Sequence, residues 1–151
     1  MLFWTHLSFG ILGGLLALDH FTGGSYVLFF FLVLLGAVFP DIDERDSKIT
    51  QWTGLFGKIV SLLNKHRGFF HSLLFVAVAL IISSVFLTQF YSWGLFLGLC
   101  SHLFLDSLTP AGVPLLYPFE RFKARGWLRT GGVGEVVVLF LVVVGIVWVV
   151  L

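Results

Sequence analysis

Five apolar runs alternate with polar connections along the 151 residues: 2–18, 26–39, 69–87, 93–108 and 135–151. A helix that crosses a bilayer needs about 20 mostly apolar residues, with a range of about 17–25. Three of the runs have that length. The runs 26–39 and 93–108 reach it only by borrowing flanking residues, and 26–39 also fits a buried or re-entrant helix. Glycines at 10, 13, 14, 36, 94 and 98 fall inside these segments, where small residues let helices approach closely. The pattern predicts an all-α protein of one domain, residues 1–151: a polytopic membrane bundle of about five transmembrane helices.

Between the second and third runs lies a polar loop, 40–67. Within it, TGLFGKIVSLLNK sets Leu55, Phe56, Ile59, Leu62 and Leu63 at helical spacing, with Lys58, Ser61 and Lys65 on the other side. That pattern predicts a short interfacial amphipathic helix; it equally fits a cap packed on the bundle.

Composition sharpens the membrane reading. The chain is 58% hydrophobic and 11% charged, where soluble domains carry roughly 25% charged residues, and its mean hydropathy is +1.03. The first run starts almost at Met1 with no basic flank, so no cleavable signal peptide is expected. Cys100 has no second cysteine to pair with. All nine Lys and Arg fall in two loops: Arg45, Lys48, Lys58, Lys65 and Arg67 in the first, Arg121, Lys123, Arg125 and Arg129 in the second. Cytoplasmic loops are enriched in these residues. Five crossings then place the chain in the cell (inner or plasma) membrane with the N-terminus cytoplasmic and the C-terminus outside. Topology accounts for the basic loops and the net charge is only +1, which argues against a nucleic-acid partner.

On that topology the titratable residues converge. His6 lies near the cytoplasmic start of the first helix, and Asp41 and Asp43 follow the second. His66 and His71 bracket the start of the third, His102 and Asp106 lie toward the cytoplasmic end of the fourth, and Glu135 opens the fifth. Ionisable groups in a bilayer are costly, by about 2.5–3.5 kcal/mol each on insertion scales, and clustered carboxylates repel one another. A divalent cation between them removes both penalties. Imidazole nitrogen with carboxylate oxygen suits zinc, and also iron, manganese or nickel. His102 and Asp106, four residues apart, share a helix face. His66 and His71 are five apart, so both face inward only if the helix begins near Gly68 and leaves His66 in the loop. The expected metal ligands are therefore His6, Asp41, Asp43, His66, His71, His102 and Asp106, around one or two ions, zinc first.

FPDIDERDS (39–47), HRGFFHSLLF (66–75) and GLCSHLFLDSLTPAGVPLLYPF (98–119) resemble the signatures of the YdjM-type, LexA-regulated, membrane-bound metal-dependent hydrolases. The resemblance runs from about His6 to Phe119 and more loosely to Glu135. The family usually reads HRGxTH; Phe70 stands here in place of the threonine. The resemblance implies a multi-pass inner-membrane protein with metal-dependent hydrolase activity. The His102–Asp106 spacing is also similar to that of helical zinc phosphodiesterases of the phospholipase C and P1 nuclease group, which hints at phosphoester chemistry.

The function expected from the sequence is a metal-dependent hydrolase at the cytoplasmic leaflet, acting on a phosphoester of a lipid or lipid-linked substrate. Glu135 or a spare aspartate, Asp43 among them, is the expected general base, and Arg67 the expected anion holder, helped by Arg121 or Arg129. The loop TPAGVPLLYPF is a candidate rim over the site. A metal transporter or sensor would use the same ligands, and a non-catalytic membrane scaffold would use the polar cluster only to lock its helices.

Overall fold

A computed structural model describes residues 1–21, 23–63, 67–119 and 123–151. The described residues form seven α-helices: α1 (Phe3–Ala17), α2 (Tyr26–Val38), α3 (Lys48–Trp52), α4 (Leu55–Leu63), α5 (Leu73–Phe86), α6 (Gln89–Ser107) and α7 (Val133–Val150). Among them there is no β-sheet; Val113 and Ala124 pair in an isolated antiparallel bridge. The all-α expectation holds. By length and composition two segments can cross a membrane: α2 with the turn that continues it, Tyr26–Asp43, and α7, each of 18 residues. α1 has 15 residues and α5 has 14. At 1.5 Å rise these are about 22 and 21 Å long, short of the ~30 Å hydrocarbon core.

Local chemistry moves two boundaries from where hydropathy set them. The apolar run that starts at residue 69 becomes α-helix only at Leu73. Ser72 is extended, and its hydroxyl accepts the Phe75 N–H as an N-cap. Phe69–His71 forms a separate 3₁₀ turn ahead of it. The fourth helix instead starts early, at Gln89: Ser92 is buried there, and its hydroxyl donates to the Thr88 carbonyl, so polar residues join the first turn at little cost. The sequence pattern did not anticipate α3, a single turn capped by Ser47, whose hydroxyl accepts the Thr50 N–H.

α2 packed along α6 is the spine of the bundle, with α1 lying against both and α7 against α1. Where α2 and α6 cross, glycines meet: a side chain on Gly98 would run into the Val33 carbonyl oxygen, and one on Gly36 into the backbone of Leu95 and Leu99. Phe29, Val33 and Phe90 fill the spine at one end, and Val76, Leu99 and Leu103 join α5 to α6. At the other end Val38, Ile42 and Ile49 bind α3 and the Phe39–Asp43 turn to the bundle. The outer faces stay apolar, with Phe140 and Trp148 of α7 and Ile81 and Phe86 of α5 exposed.

Replacing Gly98 by Val should force α2 and α6 apart. Overpacking of this kind costs about 1–3 kcal/mol, so the melting temperature of the detergent-solubilised protein should fall. Gly13→Ala, at a helical glycine with open space around it, should not lower it.

Candidate metal centre

Four elements deliver side chains to one end of the spine. The start of α1 brings His6, and the turn after α2 brings Asp41 and Asp43. The turn before α5 brings His71, and α6 brings His102 and Asp106. Pro40 stands in the first turn of the Phe39–Asp43 segment, which is 3₁₀ and packs against α6. His6, Asp43, His71, His102 and Asp106 are all buried, while the Asp41 side chain is 23% exposed.

One ligand atom from each of Asp41, His71, His102 and Asp106 lies within 4.8 Å of every other. The Nε2 atoms of His71 and His102 are 3.3 Å apart. Asp41 Oδ1 is 3.7 Å from the first and 3.6 Å from the second, and Asp106 Oδ2 is 3.9 Å from His71 Nε2. Four ligands about 2.0–2.1 Å from a tetrahedral zinc stand about 3.3 Å from each other; the two imidazole nitrogens meet that spacing, and a bound ion would draw the carboxylates inward from their longer separations.

The far side of each imidazole defines its near side. His102 Nδ1 is 2.7 Å from the Ala37 carbonyl oxygen, which can only accept, so Nδ1 carries the hydrogen. His71 Nδ1 faces Asp43 Oδ2 at 3.3 Å, again an acceptor. With both Nδ1 atoms protonated, neutral rings turn two bare lone pairs toward each other at 3.3 Å, beside two carboxylates. Something positive must sit among them: a metal ion, or a proton on one ring. The carboxylates of Asp41 and Asp43 flank His71, at 3.7 Å from Nε2 and 3.3 Å from Nδ1. Asp43 thus acts on the cluster through His71. A carboxylate behind a ligating histidine fixes its tautomer and raises its basicity.

His6 lies just outside the four-atom group. Its ring stacks on His102 with centroids 4.0 Å apart and planes 14° apart. Its Nε2 is 3.3 Å from Asp106 Oδ1, and neither ring nitrogen makes a hydrogen bond among the described residues. A fully buried imidazole with an unbonded Nδ1 and an Nε2 facing Asp106 Oδ1 fits a second ligand position that uses the other oxygen of Asp106. That same Oδ1 takes a 2.6 Å contact from the Met1 ammonium. His66, Lys65 and Arg121 lie outside the described residues.

Arg67 and Glu135 each make structural contacts. The Arg67 Nη2 pairs with Asp106 Oδ2 at 2.7 Å, and Nη1 donates to Thr109 Oγ1 and to the Gly112 carbonyl. The guanidinium thereby ties the loop after α6 to the cluster. That loop doubles back over the end of α6 through Gly126 N–H to Thr109 and Leu128 N–H to Leu108, and the rim expected of it is in part this anchor. Both Glu135 oxygens accept backbone N–H groups, from Leu2 at 2.6 Å and Gly131 at 2.7 Å. They join the starts of α1 and α7. The Ala37 carbonyl and Thr109 are the partners that sequence reasoning missed. Thr109 stands in the LTPAG stretch as a signal; a backbone carbonyl leaves none.

A cavity of 320 Å³ opens beside the cluster between α1, the Phe39–Asp43 turn and α3, with Asp41, Glu44, Lys48, Arg67 and Thr130 on its walls. Asp41 is the carboxylate of the four-residue cluster that reaches it.

A bundle with membrane-length apolar helices and a buried His–Asp cluster at one end defines a helical membrane protein with a polar site. The chain belongs to the YdjM inner membrane protein family, which it matches over residues 1–151. It is 36% identical over 137 residues to YvsG of Bacillus subtilis, itself described as uncharacterized, covering 89% of this chain and 85% of that one. It is 38% identical over 99 residues to the inner membrane protein YdjM of Escherichia coli and to that of Shigella flexneri. Those matches cover 60% of this chain and about half the length of each relative, 50%. No solved structure matches the chain.

Removing the Arg67 charge should leave Asp106 Oδ2 without its counter-charge in a buried site. Breaking a buried pair from one side costs about 3–5 kcal/mol. Arg67→Met should therefore lower the thermal midpoint sharply and Arg67→Lys should recover part of it, as read by scanning fluorimetry in detergent. An unchanged midpoint would mean that Asp106 does not depend on this guanidinium.

Proposed function

We propose that the chain is a membrane-embedded, metal-dependent hydrolase that acts at the cytoplasmic leaflet on a phosphoester of a lipid or lipid-linked substrate. The observation that carries this reading is the pair of Nε2 atoms 3.3 Å apart, each ring held by an acceptor on its far nitrogen. His71, His102, Asp41 and Asp106 would hold the ion, with zinc first among the candidates, and His6 would extend the site on the Asp106 side. Bound there, such an ion supplies a Lewis acid and a water acidic enough to be ionised near neutral pH.

The chain's own groups supply the rest. Asp43 fixes the ring of His71, and Ala37 that of His102, so the ligand atoms are aimed before any ion arrives. Asp41 is our candidate proton acceptor, because it alone of the four-residue cluster is partly exposed, at 23%, and lines the cavity. Glu135 is the weaker candidate for that role, with both oxygens taken by backbone N–H groups. Arg67 and Lys48 bring positive charge to the same cavity, which favours an anionic head group. Arg67 is suited to this because a guanidinium presents five donors in a fixed fork, and three contacts use only its two terminal nitrogens. A lipid or lipid-linked substrate is favoured over a soluble one because α6 carries His102 and Asp106 on an apolar helix. The five-crossing topology, N-terminus cytoplasmic and C-terminus outside, belongs to the same proposal. It rests on the confinement of all nine Lys and Arg to two loops.

Elemental analysis of the purified protein tests the metal. The wild type should hold a divalent metal, and the double variant His102→Ala, Asp106→Asn should lose it; equal content in both overturns the reading. Asp43→Asn should weaken metal affinity about 10–100-fold, the usual cost of losing a carboxylate behind a ligand, measured by competition with a chromogenic chelator. Release of phosphate from a labelled lipid phosphoester, absent in His102→Ala, tests the reaction, and metal flux into liposomes would instead indicate transport. A reporter fused to the C-terminus should be active only on the outer side of the membrane.

A further inference from the structure

α4 is an amphipathic helix turned inside out. The side that packs on the protein carries Gly57, Val60 and Ser61. Gly57 abuts Thr50 and Thr53 of the α3 end, Val60 joins the Val38, Ile42 and Ile49 cluster, and Ser61 is 7% exposed. The apolar stripe points away: Leu55, Phe56, Ile59 and Leu62 are 75, 63, 45 and 64% exposed. A soluble protein would bury that stripe against its core.

The stripe does not end at α4. Trp52, at the end of α3 and 68% exposed, packs edge-on against Phe3 of α1 with centroids 5.4 Å apart, and Phe3 meets Trp4 at 5.2 Å. Trp4 is 60% exposed. The Lys48 ammonium sits 4.7 Å from the Phe3 ring centre and 4.5 Å from that of Trp4. Tryptophan, and lysine with its stem on apolar surface, collect at the level of lipid head groups. Trp52 stands three residues before Leu55, the first residue of α4, so the belt on α1 and α3 is followed directly along the chain by the α4 stripe.

We infer that α3 and α4 form a hairpin seated in the bilayer surface, its Trp52 and Lys48 at the head groups beside Trp4 and its Leu55, Phe56, Ile59 and Leu62 among the acyl chains. The occupant of this face is the bilayer in which the protein resides. The two helices also pack on the Phe39–Asp43 turn, and α3 supplies Lys48 and Ile49 to the cavity wall, next to its cap Ser47. The lipid surface thus supports the turn that carries Asp41 and Asp43, and the cavity opens at head-group height. The seating of α4 does not rest on the metal reading; the route it gives a lipid head group does.

The experiment uses the full chain, reconstituted in phosphatidylcholine–phosphatidylglycerol vesicles. Cys100 is the one cysteine in the sequence; in a Cys100→Ser background, Phe56→Cys and Ile59→Cys each carry an environment-sensitive fluorophore, and Arg45→Cys serves as the exposed loop control. Lipid-borne spin labels should quench positions 56 and 59 several-fold more than position 45, and aqueous iodide should do the reverse. Circular dichroism and metal content check each variant's fold and site separately, so loss of metal leaves the seating test intact. Quenching of 56 and 59 by iodide alone overturns the inference in favour of a water-exposed face. Protection from both quenchers, or ready disulfide crosslinking of the unlabelled Phe56→Cys variant between chains, overturns it in favour of a second copy covering the stripe.

Discussion

Two imidazoles face each other through Nε2 atoms 3.3 Å apart while an acceptor stands at each Nδ1, and most of the architecture at this end of the bundle bears on that confrontation. His102 is held by a carbonyl of α2, so its orientation depends on how closely α2 and α6 approach. The glycines at 36 and 98 set that approach, since side chains there would collide with backbone. His71 is held by Asp43, on a turn that leaves α2 at Pro40 and is braced by Ile42 and Ile49. Neither histidine is aimed by its own helix alone. Each is aimed by a neighbouring element, so the site is a property of the packed bundle. This is why a change at Gly98, which stands outside the cluster, bears on the site.

Much of this was legible in the sequence, and the part that was not has a physical reason. The four-residue spacing of His102 and Asp106 inside an apolar run placed both on one face of a helix, and the structure brings both to the same cluster. The convergence of Asp41 and His71 followed from their places at the ends of runs, because a chain that enters and leaves a membrane returns such ends to the same side. What periodicity cannot carry is direction within a turn. Asp41 and Asp43 are two residues apart and looked equivalent, yet in 3₁₀ geometry one reaches the shared space and the other stands behind His71. Glu135 looked like another site acid at a helix start, but the N–H groups of Leu2 and Gly131 claimed it. The amphipathic pattern of α4 was plain, whereas the side on which it packs was not. Glycine and serine at 57 and 61 allow a close inward fit, and only the packed structure shows that fit to be used.

Arg67 links the parts that the sequence left separate. Its backbone lies in the left-handed region, at φ 57°, an uncommon conformation for a residue with a side chain. The position sends a guanidinium to Asp106 on α6 and to Thr109 and Gly112 on the loop beyond it. A charge drawn into an apolar bundle is tolerated where a counter-charge meets it. Arg67 meets Asp106 at Oδ2, while His6 approaches Oδ1. Asp106 is thereby approached by positive or ligand-seeking groups on both oxygens, which makes it the natural bridge between the four-residue cluster and the orphaned His6 ring.

The bundle that gathers these groups is also built in part from short apolar helices. α1 and α5 fall short of the hydrocarbon thickness, so a flat bilayer cannot be spanned by those helices without help from their flanking turns. In α5 that turn holds His71, and α1 begins with the Phe3–Trp4 pair that meets Lys48 and Trp52. Short helices accommodate mismatch by letting the bilayer thin and by anchoring interfacial side chains. Thinning would bring head groups down toward the Phe39–Asp43 turn, and the cavity at Asp41 faces the space they would enter. On the five-crossing reading, a membrane surface drawn down to these short helices would let lipid head groups meet the buried polar cluster without a water-filled channel.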